Sequence, residues 1–376
     1  EPMNPQVNAI ANRLSLRWPQ RESLEILSEV CDVLPLNKDQ DVDACLKAVS
    51  ALYPTVTDFE RDFPSLCFAL ATGVGKTRLM GAFISYLHRV EKIRHFFVLA
   101  PNLTIYNKLI ADFTPNTPKY VFQGIAEFAT TPPVVITGDT YEQGIGVRDG
   151  YLFEAGEAHV NIFNISKINS EVRGGKSPRI KRLSEYIGES YFEYLAGLPD
   201  LVLLMDESHR YRASAGVRAI NELKPILGLE LTATPFTQQG QNRADFKNIA
   251  YSYPLANALT DGFVKEPAVG TRENFNAKNY EPDQLERLKL EDGVRFHEHT
   301  KVELEVYARD NALPIVKPFM LVVAQDTAHA NALVKVIEDD DFFEGRYKGK
   351  VITVHSNQRG EEEDETVEQL LTVEEP

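Results

Sequence analysis

Leu66-Cys67-Phe68-Ala69-Leu70-Ala71-Thr72-Gly73-Val74-Gly75-Lys76-Thr77 decides how this chain is read. An apolar run ends in a glycine-rich turn, and Lys76-Thr77 opens a segment with helical character. That is the layout of a phosphate-binding loop. Gly73 and Gly75 let backbone N–H groups close around a polyphosphate. A helix starting at Lys76 adds further donors and a partial positive charge. Lys76 would reach the outer phosphates of ATP, and the Thr77 hydroxyl would hold Mg²⁺. The strict pattern G-x-x-x-x-G-K-[ST] is not met, because Leu70 stands at its first position. The plain alternative is a glycine turn between a strand and a helix.

A second stretch favours the phosphate reading. Leu201-Val202-Leu203-Leu204-Met205 is a five-residue apolar run, followed directly by Asp206-Glu207-Ser208-His209. Buried parallel strands read as continuous apolar runs, and ligands bind at their carboxyl ends. Asp206 would hold the metal beside Thr77, and Glu207 would orient and deprotonate an attacking water. A solvated acidic pair at a strand end is the alternative. A third run, Leu227-Gly228-Leu229-Glu230-Leu231, leads into Thr232-Ala233-Thr234-Pro235. The hydroxyls of Thr232 and Thr234 would report on the Asp-Glu-Ser-His segment by hydrogen bonding; alone, this is a plain strand end and turn.

Apolar runs at 66–71, 96–100, 134–137, 160–165, 201–205 and 227–231 alternate with longer polar or amphipathic segments. The pattern predicts an α/β fold, a mainly parallel sheet with helices on both faces. Lys76, Asp206-Glu207 and Thr232 then emerge at one sheet edge. Residues 1–60 read as helical, with apolar spacing in Leu24, Ile26, Leu27 and Val30. Residues 237–312 lose the apolar runs, and Gln238-Gln239-Gly240-Gln241-Asn242-Arg243 reads as a polar loop. Lys317–Ala324 reads as a strand, His329–Ile337 as a helix and Val351–His355 as another strand, the opening βαβ of a second domain. The expected division is a helical segment over 1–60, a first lobe over 61–260, a linker over 261–312 and an incomplete second lobe over 313–376.

Composition sets the outer bounds. With 376 residues, 43% hydrophobic and 25% charged, the chain is globular and large enough for two domains. No window approaches 18 uninterrupted apolar residues, and no secretory signal is visible at Glu1-Pro2-Met3-Asn4, which argues for a cytoplasmic protein without a membrane partner. Cys31, Cys45 and Cys67 are scattered, as in neither a disulfide framework nor a zinc site. The net charge of −15 argues against a general nucleic-acid binder, but residues 360–376 hold about half of it, in eight carboxylates. A motor needs only a local basic track. The candidate is Arg173, Lys176, Arg179, Lys181 and Arg182, or else a solvated loop. His297-Glu298-His299 would place two rings on one face of a strand but lacks a third ligand. Tyr191, Phe192 and Tyr194 read as core.

Ala71–Thr77, Asp206–His209 and Thr232–Pro235 resemble, in order, motifs I, II and III of superfamily 2 helicases and translocases. Within that superfamily the chain most resembles the restriction (Res) subunit of type III restriction–modification enzymes. Leu16-Arg17-Trp18-Pro19-Gln20-Arg21 is similar to the upstream element whose glutamine, here Gln20, reads the adenine edge. Phe97–Asn102 resembles motif Ia, which implies nucleic-acid contact at Pro101 and Asn102. Asn161–Ser166 resembles a later contacting strand end, with Asn164 and Ser166. The resemblance implies a RecA-like first lobe followed by the start of a second, with Thr72, Gly73, Val74, Gly75, Lys76 and Thr77 around the phosphates. His209 would couple nucleotide state to motif III, and His355-Ser356 would face nucleic acid.

It also implies ATP hydrolysis driving movement along duplex DNA, with a methyltransferase or specificity subunit as partner. The family's transition-state arginine and its nuclease residues find no match here, so weak activity is expected of this chain. An RNA helicase and a nucleotide-gated clamp are the competing functions; a small-molecule kinase would not need motif III or Gln20.

Overall fold

A computed structural model describes residues 4–145, 157–164, 188–212, 214–239 and 242–354. The chain forms two compact units, Glu1–Glu266 and Pro267–Pro376.

The first unit opens with three helices: α1 (Pro5–Arg13), α2 (Trp18–Val33) and α3 (Val42–Leu52). Polar side chains fix two of their starts. Asn4 accepts from the Gln6 N–H, and Asp41 accepts from Asp43 and Ala44, satisfying donors that a helix N-terminus leaves open. Leu24, Ile26, Leu27 and Val30 of α2 are all buried.

The six apolar runs become six strands: β1 (Ser65–Leu70), β2 (His95–Ala100), β3 (Val134–Thr137), β4 (His159–Asn164), β5 (Leu201–Asp206) and β6 (Leu227–Thr232). With β9 (Ile249–Tyr253) they make one seven-stranded sheet in the order β3-β4-β2-β5-β6-β1-β9. Every pairing in it is parallel. Both faces are covered, which is why these strands are apolar throughout. Val202 and Leu204 of β5 join the core on the face of α2 and α4 (Lys76–Arg89). Leu203 and Met205 join the opposite core, with Tyr191 and Phe192 from helix Glu189–Gly197 and Ile220 from helix Ser214–Glu222. The two aromatics are therefore core, as their spacing suggests.

Sequence patterning missed two strand features. Gln238, Gln239, Asn242 and Arg243 are not loop residues, because β7 (Phe236–Gln239) and β8 (Asn242–Asp245) pair in antiparallel fashion, while residues 240 and 241 lie outside the described residues. β8 is exposed along its whole length, so no buried face demands apolar alternation. Arg243 instead lies 4.0 Å from the Phe236 ring centroid. β9 pairs only with β1 at the sheet edge, and its partial burial leaves room for Tyr251 and Ser252.

The expected linker 261–312 begins in the first unit, and its part in the second unit holds a 30-residue helix, Pro282–Asn311. Only Leu290, Val294 and Ala308 of it are buried, too sparse an apolar stripe to stand out in the sequence. His297 and His299 lie in this helix, so the expected strand geometry does not hold and residues two apart diverge around its axis. No metal-binding group of three or more His, Cys, Asp or Glu exists among the described residues. Helix Thr327–Ile337 forms where expected, capped by Asp326 through the His329 N–H. The flanking segments 317–324 and 351–354 form no strand. A strand needs a partner ladder, and none is available to these segments among the described residues. Leu321 and Val323 are instead 76% and 84% exposed, and a cavity of about 810 Å³ opens beside Phe319 and Leu333.

Candidate functional site

A fully parallel sheet delivers all its strand carboxyl ends to one edge. The Gly73-Gly75 loop follows β1, Asp206 ends β5 and Thr232 ends β6, and these three strands are consecutive neighbours in the order β5-β6-β1.

Leu70 is completely buried as the last residue of β1, opposite Tyr253. The missing glycine of the strict motif thus falls on a core position, and the turn begins only at Ala71. Gly73 and Gly75 have φ of +85° and +102°, a region open to glycine. Val74 is buried while Thr72 and Gly73 are exposed, so the loop presents backbone to one side and anchors through valine on the other. Gly75 is the N-cap of α4 and no side chain caps that terminus. Its first-turn N–H groups and dipole therefore face the loop, the arrangement that binds phosphate.

Gln20 contributes to this loop in an unexpected way. Its Nε2 donates to the Gly75 carbonyl at 2.8 Å, and its Oε1 accepts from the Arg17 N–H at 2.8 Å. Arg17 Nη1 in turn donates to the Gly73 carbonyl at 2.8 Å, and its guanidinium lies 4.8 Å from the Phe263 ring centroid. The Arg-x-x-Gln element braces the phosphate loop directly.

The acidic segment turns sharply at Glu207, which has φ of +49° and ψ of +52°. This left-handed conformation is unfavourable for a glutamate and swings its carboxylate toward the loop. Lys76 Nζ lies 3.0 Å from Glu207 Oε1. The other oxygen, Oε2, lies 3.4 Å from Thr232 Oγ1 and 3.5 Å from His209 Nδ1. His209 Nδ1 and Thr232 Oγ1 are 3.0 Å apart. Thr234 joins through its backbone, donating its N–H to Thr232 Oγ1 at 3.0 Å. Burial holds the His209 pKa below its ordinary value. Asp206 accepts from the Glu207 N–H at 3.1 Å. Burial and the adjacent Glu207 push its carboxyl up to about 6, against Lys76 and Lys108.

Beneath this edge lies a buried charge cluster that motif reading did not find. Glu230 of β6 is completely buried. Its carboxylate meets Arg61 Nε at 3.1 Å, Ser65 Oγ at 2.8 Å, Asn248 Nδ2 at 3.1 Å and Arg212 Nη2 at 2.6 Å. Burial alone would raise its pKa, but Arg61 and Arg212 bring it down to about 2. Arg212 also pairs with Glu60 and lies 3.8 Å from the Phe246 ring centroid. It directly follows the turn Ser208–Tyr211, so it ties the acidic segment to β6, two residues before Thr232. A glutamate inside Leu-Gly-Leu-Glu-Leu was the available signal, since a buried carboxylate requires a partner.

The nucleic-acid candidates are less complete. Pro101 follows β2 at the same edge, and Asn102 is the N-cap of α5 (Leu103–Phe113), accepting from the Ile105 N–H at 2.9 Å. Asn164 is buried at the end of β4, paired with Ala100. Ser166, Arg173 and Lys176, like His355 and Ser356, lie outside the described residues.

This sheet, with its loop after β1 and the three motifs gathered at one edge, is a RecA-like lobe of the superfamily 2 type. The chain belongs to the family described as type III restriction enzyme, res subunit, whose model matches residues 14–237. No curated relative matches it. It is similar to the solved Sulfolobus solfataricus SWI2/SNF2 ATPase core in complex with dsDNA, at 15% identity over 46% of this chain and 28% of that one, with a TM-score of 0.27. It is also similar to the ATP-dependent Type ISP restriction-modification enzyme LlaBIII bound to DNA, at 15% identity over 54% of this chain and 14% of that one, with a TM-score of 0.36. The chain thus spans less than a third of either structure's own length.

Proposed function

We propose that this chain is the first motor lobe, with the start of a second, of an ATP-dependent translocase acting on duplex DNA. The observation that carries the reading is the meeting of Lys76, Glu207, His209 and Thr232 within 3.0–3.5 Å contacts at one sheet edge. Three separate stretches of sequence supply them.

In this reading the loop N–H groups and Lys76 bind the β- and γ-phosphates of ATP. Lys76 exchanges its ion pair with Glu207 for a phosphate oxygen, which leaves the carboxylate free to orient a water. Glu207 accepts that water's proton as its oxygen attacks the γ-phosphorus, and the bond to the bridging oxygen breaks to leave ADP and phosphate. Thr232 and His209 hold Glu207 Oε2, so they feel its change of partner and carry it into β6. Thr77 and Asp206 offer the oxygen donors that suit Mg²⁺. When bound there, the ion neutralises phosphate charge. Membership of the restriction family supports duplex DNA as the track, and a methyltransferase or specificity subunit would supply target choice. Movement would come from alternate closing and opening of two lobes.

The test is ATP hydrolysis by the protein carrying this chain, with no nucleic acid, duplex DNA, single-stranded DNA or RNA, and with Lys76→Ala alongside. Strong stimulation by duplex DNA, lost in Lys76→Ala, is expected. A preference for RNA would make it an RNA helicase, and ATP binding without turnover a nucleotide-gated clamp. Turnover untouched by Lys76→Ala would remove the loop assignment altogether.

A further inference from the structure

We infer that Lys108 is a positioning residue of the nucleotide site, whose ammonium competes with the divalent cation for the Thr77 hydroxyl. The inference rests on the nucleotide reading above. Lys108 lies on α5, outside the three motifs, 31 residues from Thr77 in sequence. Its Nζ is nevertheless 3.3 Å from Thr77 Oγ1. This is the hydroxyl to which the loop architecture gives the metal.

The contact is not an idle surface geometry. The ordinary helical partner of Lys108 is Asp112, four residues on, at 3.7 Å. That pair is longer than the contact with the Thr77 oxygen. Asp206 and Glu207 stand at the end of β5, on the same sheet edge as the phosphate loop. An ammonium there offsets the acidic edge and occupies the Thr77 oxygen until a divalent cation arrives.

A magnesium ion binds oxygen at about 2.0–2.1 Å. An ammonium within hydrogen-bond distance of the same oxygen would bring like charges within roughly 5 Å. The two therefore disfavour one another at Thr77. Lys108 is more than half exposed, so it can swing away without burying its charge. Because α5 follows β2 directly, through Pro101 and its N-cap Asn102, the exchange also gives that helix a nucleotide-dependent contact with α4.

The test measures binding, not turnover. A fluorescent ADP analogue is titrated at fixed concentration with free Mg²⁺, using wild type, Lys108→Met and Lys108→Arg. Removing the competing charge should lower the half-saturating Mg²⁺ concentration by about two- to fivefold, the scale of a partly screened pair. The arginine variant should restore the wild-type value, and added salt should narrow the gap. A purely structural role would change thermal stability equally with and without Mg²⁺ and leave the midpoint in place. An unchanged or higher Mg²⁺ requirement in Lys108→Met would overturn the inference while leaving the nucleotide site intact. Failure of all three proteins to bind the analogue would overturn the nucleotide reading itself, and this inference with it.

Discussion

The Gln20 side-chain amide donates to the Gly75 carbonyl at 2.8 Å, so α2 is fastened to the phosphate loop at its tightest turn. A Cβ on Gly75 would stand 2.6 Å from Gln20 Nε2, on a residue whose φ is +102°. Gly75→Ala therefore meets both backbone strain and a displaced brace. We expect about 1–3 kcal/mol of lost stability and weaker ATP binding. Urea unfolding and a nucleotide titration check the two effects. Adding Gln20→Ala should relieve the steric part only, leaving the φ penalty; full recovery of stability in the double variant would contradict this account.

Glu207→Gln should keep ATP binding and lose turnover by about 10²–10⁴-fold, since the amide cannot accept the proton. It also removes the ion pair with Lys76 at 3.0 Å, so nucleotide affinity should hold or rise. Single-turnover hydrolysis with a parallel binding assay decides it. Undiminished hydrolysis would mean that another group positions the water.

Asp206 carries a pH signature. Its folded carboxyl sits at about 6, above the ordinary 3.8, so the folded form favours the proton. That contribution to stability is whole below about pH 4 and is lost as pH rises through 6. Asp206→Asn never carries the charge. In EDTA it should be more stable than wild type at pH 8 by up to about 3 kcal/mol, with the gap closing toward pH 4. Equal gaps at both pH values in urea melts would refute the burial argument.

Arg212→Met breaks one side of the buried cluster and leaves Glu230 short of a counter-charge. The expected loss is about 3–5 kcal/mol, far above that of a surface pair. Adding Glu230→Leu should not recover that loss, because Arg61, equally buried, then loses its own carboxylate partner; recovery should need Arg61→Met as well. Chemical denaturation of the variants measures this. A cost below about 1 kcal/mol for the single change would mean that water reaches the cluster.

The sheet and the phosphate loop were legible because both write themselves locally. Doubly covered parallel strands must be apolar throughout, and their chemistry sits at their last residues, as at Met205-Asp206 and Leu231-Thr232. Segments without a buried face had no such signature. The β7–β8 pair, the edge strand β9 and the sparsely buried helix Pro282–Asn311 all lack it. Lys317–Ala324 failed for the opposite reason, since apolar content alone does not make a strand. Partnerships across the fold were also hidden. Lys108 meets Thr77, and Arg212 meets Glu230, only because helices and strands cross there, and no spacing rule encodes such meetings. Gln20 was found by its motif, yet its observed bonds go to the loop backbone.

The strand order also has a consequence for synthesis on the ribosome. β1, which bears the phosphate loop, pairs with β6 and β9 and with no strand nearer in the chain. Tyr253, the partner of Leu70, is translated long after it, roughly ten to forty seconds at ordinary elongation rates. Until β6 emerges β1 is an apolar strand with two open edges, and one edge stays open until β9 follows, a natural target for chaperones or for unwanted pairing. The nucleotide site is thus among the last parts of the lobe to be completed, and a nascent chain stalled before residue 227 should bind no ATP.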